Sequence, residues 1–241
     1  MSAAPLRVID LGRRPYGEVL ELQRELTRRR VQRELDHDIL LLVEHQPVVT
    51  LGRGTRTTSL PLPPEELRRR GLEVYEVERG GDVTFHGPGQ LVGYPILDLQ
   101  RHRPDLHWYL REVEGVLIDA LATLGIAAER NPGRTGVWTG GRKIASIGIH
   151  VKQWVTLHGF ALNVTTDLGY FDLIVPCGID GVRMTTVARE CPGDSRPVLW
   201  EETREAVTAA FAARFDLVPE ETQLEELLGE PKASSRASPP A

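Results

Sequence analysis

Apolar positions along the chain change their spacing several times, and each change marks an element. Leu6 to Leu11 reads as a short strand, whereas from Pro15 the spacing of Val19, Leu22, Leu26 and later Leu35 suits an amphipathic helix. Asp38 to Glu44 is a continuous apolar run of strand length, closed by His45-Gln46-Pro47, after which Val48 to Leu51 resumes an extended pattern. A loop of Gly, Arg and Thr then leads to Ser59. Pro63-Pro64-Glu65-Glu66 predicts a helix start, with proline in the first turn, acids near the positive end of the dipole, and Gly71 as the stop. Glu73 to Val77 reads as a strand. So does Gln90 to Leu99, where Pro95 lacks the N–H that a ladder needs and therefore predicts an edge or bulged strand. The clearest helix is Asp105 to Leu124, with Leu106, Leu110, Val113, Leu117 and Leu121 on one face and Gly125 after it. From Gly136 to Val164 two or three strands are separated by Gly140-Gly141 and Gln153-Trp154, the pattern of a hairpin or meander. Helices are predicted again over Val198 to Phe215 and Glu220 to Leu228.

Pro231 to Ala241 offers nothing to bury and predicts a disordered tail over 231–241. No repeat or linker divides residues 1–230. The expectation is one domain of α/β class, α+β in type, with a mixed, largely antiparallel sheet flanked by helices.

Composition narrows the function classes. At 241 residues, 41% hydrophobic and 26% charged, the chain can bury a full core and falls outside the disordered, collagenous and membrane classes. Its two cysteines, Cys177 and Cys191, cannot build a disulfide framework, and no charged-then-apolar leader opens the chain, so a reducing cytoplasm is expected. Net charge is −5, yet residues 201–230 hold nine acids against two bases, which leaves the remainder balanced. Without a basic excess neither nucleic acid nor a membrane surface is an expected partner, although local arginine patches can meet an acidic protein. Only three of the 29 basic side chains are lysines: Lys143, Lys152 and Lys232. An amine can lose its proton inside a protein and a guanidinium cannot, so each lysine is a place to look for proton transfer.

Candidate chemistry falls in three places. Arg79 to Gln90 packs four glycines and a proline around Arg79, Thr84 and His86, which reads as a loop whose backbone can approach a ligand, or as a tight turn between strands. It is not a dinucleotide fingerprint, because Gly87, Gly89 and Gly93 are misspaced and lead into a strand. Gly136 to Lys143 likewise misses the phosphate-loop spacing by one position. Cys177, between Pro176 and Gly178, sits on a turn where a thiol can act as nucleophile, or it is a small buried residue; Cys191 has the same kind of setting. Period two places Lys143 on the face of Ala145, Ile147, Ile149 and Val151, where desolvation favours the neutral amine; the alternative is an exposed lysine just past a turn. Metal binding is not expected, since no C-x-x-C or paired histidine spacing occurs.

Taken together, Arg79-Gly80-Gly81 with Thr84 and His86-Gly87-Pro88-Gly89-Gln90, then Gly136-Val137-Trp138, Lys143 to Gly148, Gly159 to Asn163 and Pro176-Cys177-Gly178 resemble the lipoyl(octanoyl) transferase family. The blocks run in the family's order from about Leu51 to Val187. The resemblance implies a fold similar to the catalytic domains of biotin ligase and lipoate ligase. It implies an acyltransferase that moves octanoyl from acyl carrier protein to a lysine of a lipoyl domain, without ATP or any other cofactor. Expected acceptors are the lipoyl domains of 2-oxoacid dehydrogenase complexes and the glycine cleavage H protein, and a monomer is expected. By the same resemblance Cys177 is the acyl-thioester nucleophile and Lys143 lowers its pKa and moves protons. Substrate-binding positions fall on Arg79, Gly80, Gly81, Asp82, Val83, Thr84, Phe85 and His86, on Ser146, Ile147 and Gly148, and on Gly159, Phe160 and Ala161.

The residues suit that role. Only a thiolate attacks efficiently, and a nearby amine supplies the base or the positive charge. Val83, Phe85, Ile147 and Phe160 are candidate walls for an acyl chain, or core. His86 orients the thioester or caps its turn, and Arg53, Arg56 and Arg142 are candidates to steer an acidic carrier. Three other functions use the same residues differently. An ATP-dependent lipoate or biotin ligase would not need Cys177, a non-catalytic module would tolerate loss of Cys177 and Lys143, and a cysteine hydrolase would use His86 or His158 as base.

Overall fold

The computed structural model describes residues 4–175, 181–191 and 199–229. Cys177, Gly178 and the tail at 231–241 lie outside them. The helices are α1 (Tyr16–Val31), α2 (Pro64–Arg69), α3 (Leu106–Thr123), α4 (Val187–Glu190), α5 (Leu199–Phe215) and α6 (Leu224–Gly229). Strands β1 (Ala4–Arg14), β2 (Asp38–His45), β6 (Gln90–Ile96), β7 (Glu129–Asn131), β8 (Arg134–Thr139), β9 (Arg142–Lys152), β10 (Val155–Asn163) and β11 (Leu217–Glu221) form one sheet in the order β11-β1-β2-β6-β10-β9-β8-β7. Strands β3 (Val48–Leu51), β4 (Glu73–Glu76) and β5 (Val83–His86) form a second sheet in the order β4-β3-β5. Pairing in the large sheet is parallel at β11-β1-β2 and antiparallel elsewhere, the mixed arrangement expected.

The continuous apolar run in β2 follows from burial of both sheet faces. Leu40 and Leu42 pack in a core cluster with Val113 and Leu117 of α3 and Phe211 and Phe215 of α5. Ile39, Leu41 and Val43 point the other way and pack with Val19 and Leu26 of α1. Helix α3 begins where Asp105 accepts from the backbone N–H groups of His107 and Trp108 at 2.9 and 3.0 Å, and ends at Gly125 with φ +79°. Of its predicted apolar face, Leu106 is exposed in the first turn while Val113, Leu117 and Leu121 are buried. The β9–β10 hairpin turns at Gln153-Trp154, both with positive φ, as their place in the pattern predicts.

Three expectations need correction. Pro95 is not on an edge: β6 lies between β2 and β10 at the centre of the sheet. The β6–β10 register places His158 opposite Pro95, and His158 turns its N–H away to Gln23 Oε1 at 3.0 Å with φ +60°, so the missing donor of Pro95 is absorbed by a local distortion of β10. Glu220 and Glu221 do not begin a helix. They end β11, which pairs with β1 and carries ion pairs from Glu220 to Arg7 and from Glu221 to Arg204, and the helix starts only at Leu224. An acid-rich edge strand and an acid-rich helix start look alike in sequence. Finally, the glycine-rich stretch at 79–90 is interrupted by β5, paired along its length with β3.

Candidate active site

The two sheets meet at the glycine-rich stretch. Arg79, almost fully buried, donates from Nη2 to the Thr50 backbone oxygen at 2.7 Å and to Thr50 Oγ1 at 2.9 Å, and from Nη1 to Gly80 O at 3.1 Å. Gly80 N donates to Ile149 O at 2.9 Å and Gly54 N to Gly81 O at 3.0 Å, so the loop is stitched between β9 and the segment leaving β3. A Cβ on Gly52 would lie 2.4 Å from Gly81 O, and one on Gly148 would lie 2.9 Å from Arg79 Cδ and 3.0 Å from Gly80 O. These glycines permit backbone to pack on backbone. Asp82 closes the loop, accepting from Ser59 Oγ at 2.6 Å and from Val83 N at 2.7 Å.

Strand β5 then divides its residues by period two. Phe85 points into a separate apolar cluster, stacked on Tyr170 at 4.5 Å between ring centroids and edge-on to Phe171 at 5.6 Å. Thr84 and His86 face a cavity of about 230 Å³. Its wall gathers Arg79, Gly81, Asp82, Val83, Thr84 and His86 with Lys143, Ser146, Ile147 and Gly148 of β9 and Gly159, Phe160 and Ala161 of β10. Of the positions singled out in sequence, Gly80 and Phe85 lie off this wall, and Cys177 falls outside the described residues. Phe160 keeps its place because Gly93 yields to it: a Cβ there would sit 2.1 Å from the Phe160 ring.

Lys143 is 2% exposed, and its route into the cavity differs from simple alternation. Val137 pairs with Ala145 while Trp138 pairs with Lys143, so β9 carries one extra residue there. Ile144 and Ala145 consequently both pack in the core cluster against α3, and Lys143 lines the cavity with Ser146 and Gly148. Its Nζ lies 5.7 Å from the centroid of Trp138, and its stem runs past Gly136, where a Cβ would be 2.7 Å from Lys143 Cε. Lys143 N donates to Arg183 O at 2.8 Å and Thr185 N to Lys143 O at 2.9 Å. The strand-like segment that follows the Cys177 region in sequence therefore runs alongside Lys143.

The remaining wall comes mostly from residues without a sequence signal. Tyr16 arrives from the start of α1, Val92 and Tyr94 from β6, and Gly133, Arg134 and Thr135 from the β7–β8 turn and the start of β8, while His158, a candidate base in sequence, comes from the distorted position of β10. Burial pushes His86 down to about 3, with His45 and Arg79 adding to the effect, and pushes His45 down to about 4. Burial also raises the phenols of Tyr16 and Tyr94, and Tyr94 shares a 2.8 Å hydrogen bond with His45 Nε2. His158, also lowered by burial, has Nε2 3.7 Å from Glu78 Oε2. The cavity thus combines apolar wall and neutral imidazoles with the side chains of Arg79, Asp82, Arg134 and Lys143, an arrangement suited to an acyl chain that carries a reactive carbonyl.

Comparison with known proteins agrees with that chemistry. The family model for the Lipoyl protein ligase A/B catalytic domain matches residues 15–212. Octanoyltransferase from Gloeobacter violaceus is 48% identical over 92% of this chain and 95% of its own length, and that from Synechococcus elongatus is 45% identical over 100% of both. Among solved structures, lipoate-protein ligase A bound with ATP superposes with a TM-score of 0.74 at 19% identity, covering 95% of this chain and 92% of the other, a likeness of fold. A bi-partite lipoate protein ligase from Thermoplasma acidophilum gives a TM-score of 0.72 at 18% identity over 93% and 90%. With the matched model spanning most of the chain and relatives close to half identical along it, this protein belongs to the Lipoyl protein ligase A/B catalytic-domain family and is an acyltransferase of its octanoyltransferase group.

Proposed function

We propose that the protein takes octanoyl from the thioester of acyl carrier protein and places it on a lysine of a lipoyl domain, through an acyl thioester on Cys177. The observation that carries this reading is the single cavity in which Lys143 meets Thr84, His86, Ser146 to Gly148 and Gly159 to Ala161. The pairing of Lys143 with Arg183 and Thr185, shortly after Cys177 in the chain, supports a common site for amine and thiol.

In the first half-reaction the Cys177 thiolate attacks the donor carbonyl, a C–S bond forms, and the carrier's C–S bond breaks as its sulfur takes up the proton. One thioester replaces another, so the step is close to isoenergetic and needs no nucleotide. Lys143 serves as the proton acceptor and donor, a role that a permanently charged guanidinium cannot fill. Backbone N–H groups near Cys177-Gly178 and that of Gly81 are the candidate oxyanion donors, each typically worth ~2.7 to 4 kcal/mol, whereas the Gly80 N–H is taken by Ile149 O. Burying roughly seven alkyl carbons in the cavity, with Val92 and Ala161 on its wall, contributes ~5 to 6 kcal/mol of binding at ~0.8 kcal/mol per carbon. In the second half-reaction the acceptor amine attacks, an amide forms, and the reaction runs downhill. An acidic carrier would be met by local arginines, with Arg53 and Arg56 as candidates.

The test is transfer of octanoyl from its carrier to an isolated lipoyl domain, read by the mass of the acceptor. The expected result is full transfer without ATP, lost in Cys177→Ser. Transfer that requires ATP and survives Cys177→Ser would assign the chain to ligation instead, and release of free octanoate without acceptor would assign it to hydrolysis.

A further inference from the structure

Behind the cavity wall a line of buried polar groups fixes the protonation of His86. Asn163 Nδ2 donates to the backbone oxygen of Thr185 at 3.1 Å, and Asn163 Oδ1 accepts from Gln90 Nε2 at 2.9 Å. Gln90 Nε2 also donates to Phe85 O at 3.2 Å, and Gln90 Oε1 lies 2.8 Å from His86 Nδ1. A backbone oxygen only accepts, so the two carbonyls at the ends orient both amides. Gln90 is left with an oxygen facing the ring, which demands a hydrogen on Nδ1. Burial, reinforced by His45 and Arg79, keeps the imidazole neutral, and a neutral ring carries one N–H. Nε2 is therefore an acceptor.

An acceptor nitrogen cannot donate to the thioester carbonyl, so His86 does not orient the donor in the way its sequence context suggests. Neither the acyl carbonyl nor the thioester sulfur bears a hydrogen. The incoming amine does. We propose that Gln90 and Asn163 are positioning residues that lock His86 in its Nδ1–H form, and that His86 Nε2 accepts one N–H of the acceptor lysine, turning the amine lone pair toward the acyl carbon. This rests on the acyl-transfer reading and assigns His86 to its second half.

The step balances without a co-reactant. The amine nitrogen bonds the acyl carbon, the C–S bond breaks with its electron pair going to Cys177, and one amine proton reaches that sulfur by way of Lys143. The other proton stays in the amide, and His86 keeps its own. The charged and titratable groups around His86 are His45, with ring centroids 6.1 Å apart, Tyr16 at 6.0 Å, Arg79 and His158. Because Thr185 also donates to Lys143 O, the same line ties the amine-orienting imidazole to the backbone of the proton-moving lysine.

Two measurements on the full chain test this. Long-range proton–nitrogen NMR of histidine-labelled protein should show His86 protonated on Nδ1 and bare on Nε2; the opposite tautomer would overturn the proposal without any variant. Single-turnover kinetics should then separate the half-reactions: Gln90→Met, which cannot accept from Nδ1, slows aminolysis of the preformed acyl-enzyme by about tenfold, the scale of one lost hydrogen bond, with acylation unchanged. Equal slowing of both half-reactions, or slowing of acylation alone, would overturn the amine assignment. A wild-type protein that forms no acyl-enzyme would overturn the acyl-transfer reading itself, and the amine assignment with it, while the tautomer stands or falls by NMR.

Discussion

The buried imidazoles make stability depend on pH in a calculable way. His86 and His45 are held near 3 and 4 in the folded chain, against an ordinary value of 6.5. Since the folded values are depressed, the unfolded chain binds these protons first, and stability present above about pH 6.5 is lost as pH falls toward the folded values. At pH 5 the distance below 6.5 is about 1.5 units, or ~2 kcal/mol per imidazole at 1.36 kcal/mol per unit. Two imidazoles give ~4 kcal/mol, a large share of the 5 to 15 kcal/mol typical of a domain. His158 and His150 are lowered in the same direction and add to it. Asp38, held below its ordinary 3.8, loses its contribution only at lower pH. Urea unfolding followed by tryptophan fluorescence at pH 8 and pH 5 should show this drop, and the double variant His45→Gln, His86→Gln should lose most of the difference. A wild-type stability within about 1 kcal/mol at the two pH values, or a double variant with the full slope, would refute the reasoning.

Two further outcomes follow from the packing. Lys143→Arg keeps a charge but not a removable proton, and should reduce octanoyl transfer by about two orders of magnitude in the same mass assay, while near wild-type rate would remove Lys143 from proton transfer. Gly93→Ala places a Cβ 2.1 Å from the Phe160 ring, so Phe160 must shift within the core cluster that it shares with Leu91 and Leu162. A stability loss of roughly 1 to 3 kcal/mol in urea unfolding is expected, and unchanged stability would show that Phe160 is not held against Gly93.

Much of the large sheet is legible because its strands are punctuated by glycine, proline and polar turns. The alternation within β2 serves two faces at once, so its run of leucines reads correctly as a strand. Pro95 misleads because sequence gives no sight of His158 opposite it, where the distortion is taken up. The acids of β11 mislead because they satisfy a helix start as well as an edge strand. Lys143 stands out by scarcity, and the structure buries it, yet its entry into the cavity depends on an extra residue in β9 that period-two reasoning cannot foresee. The glycines around Arg79 were readable as a special backbone, but their partners, Gly52 and Gly148, are visible only once the two sheets meet. Tyr16, Tyr94 and His158 reach the cavity from separate elements, and only the fold brings them together.

The central claim is an acyl thioester on Cys177. It is tested most directly by intact-mass spectrometry after incubation with octanoyl carrier protein, without ATP or acceptor. The account predicts one octanoyl adduct that hydroxylamine removes, that maps to Cys177, and that Cys177→Ser abolishes. Absence of an adduct, or an adduct on Cys191, whose half-buried Sγ lies 3.7 Å from Leu124 O, would contradict it.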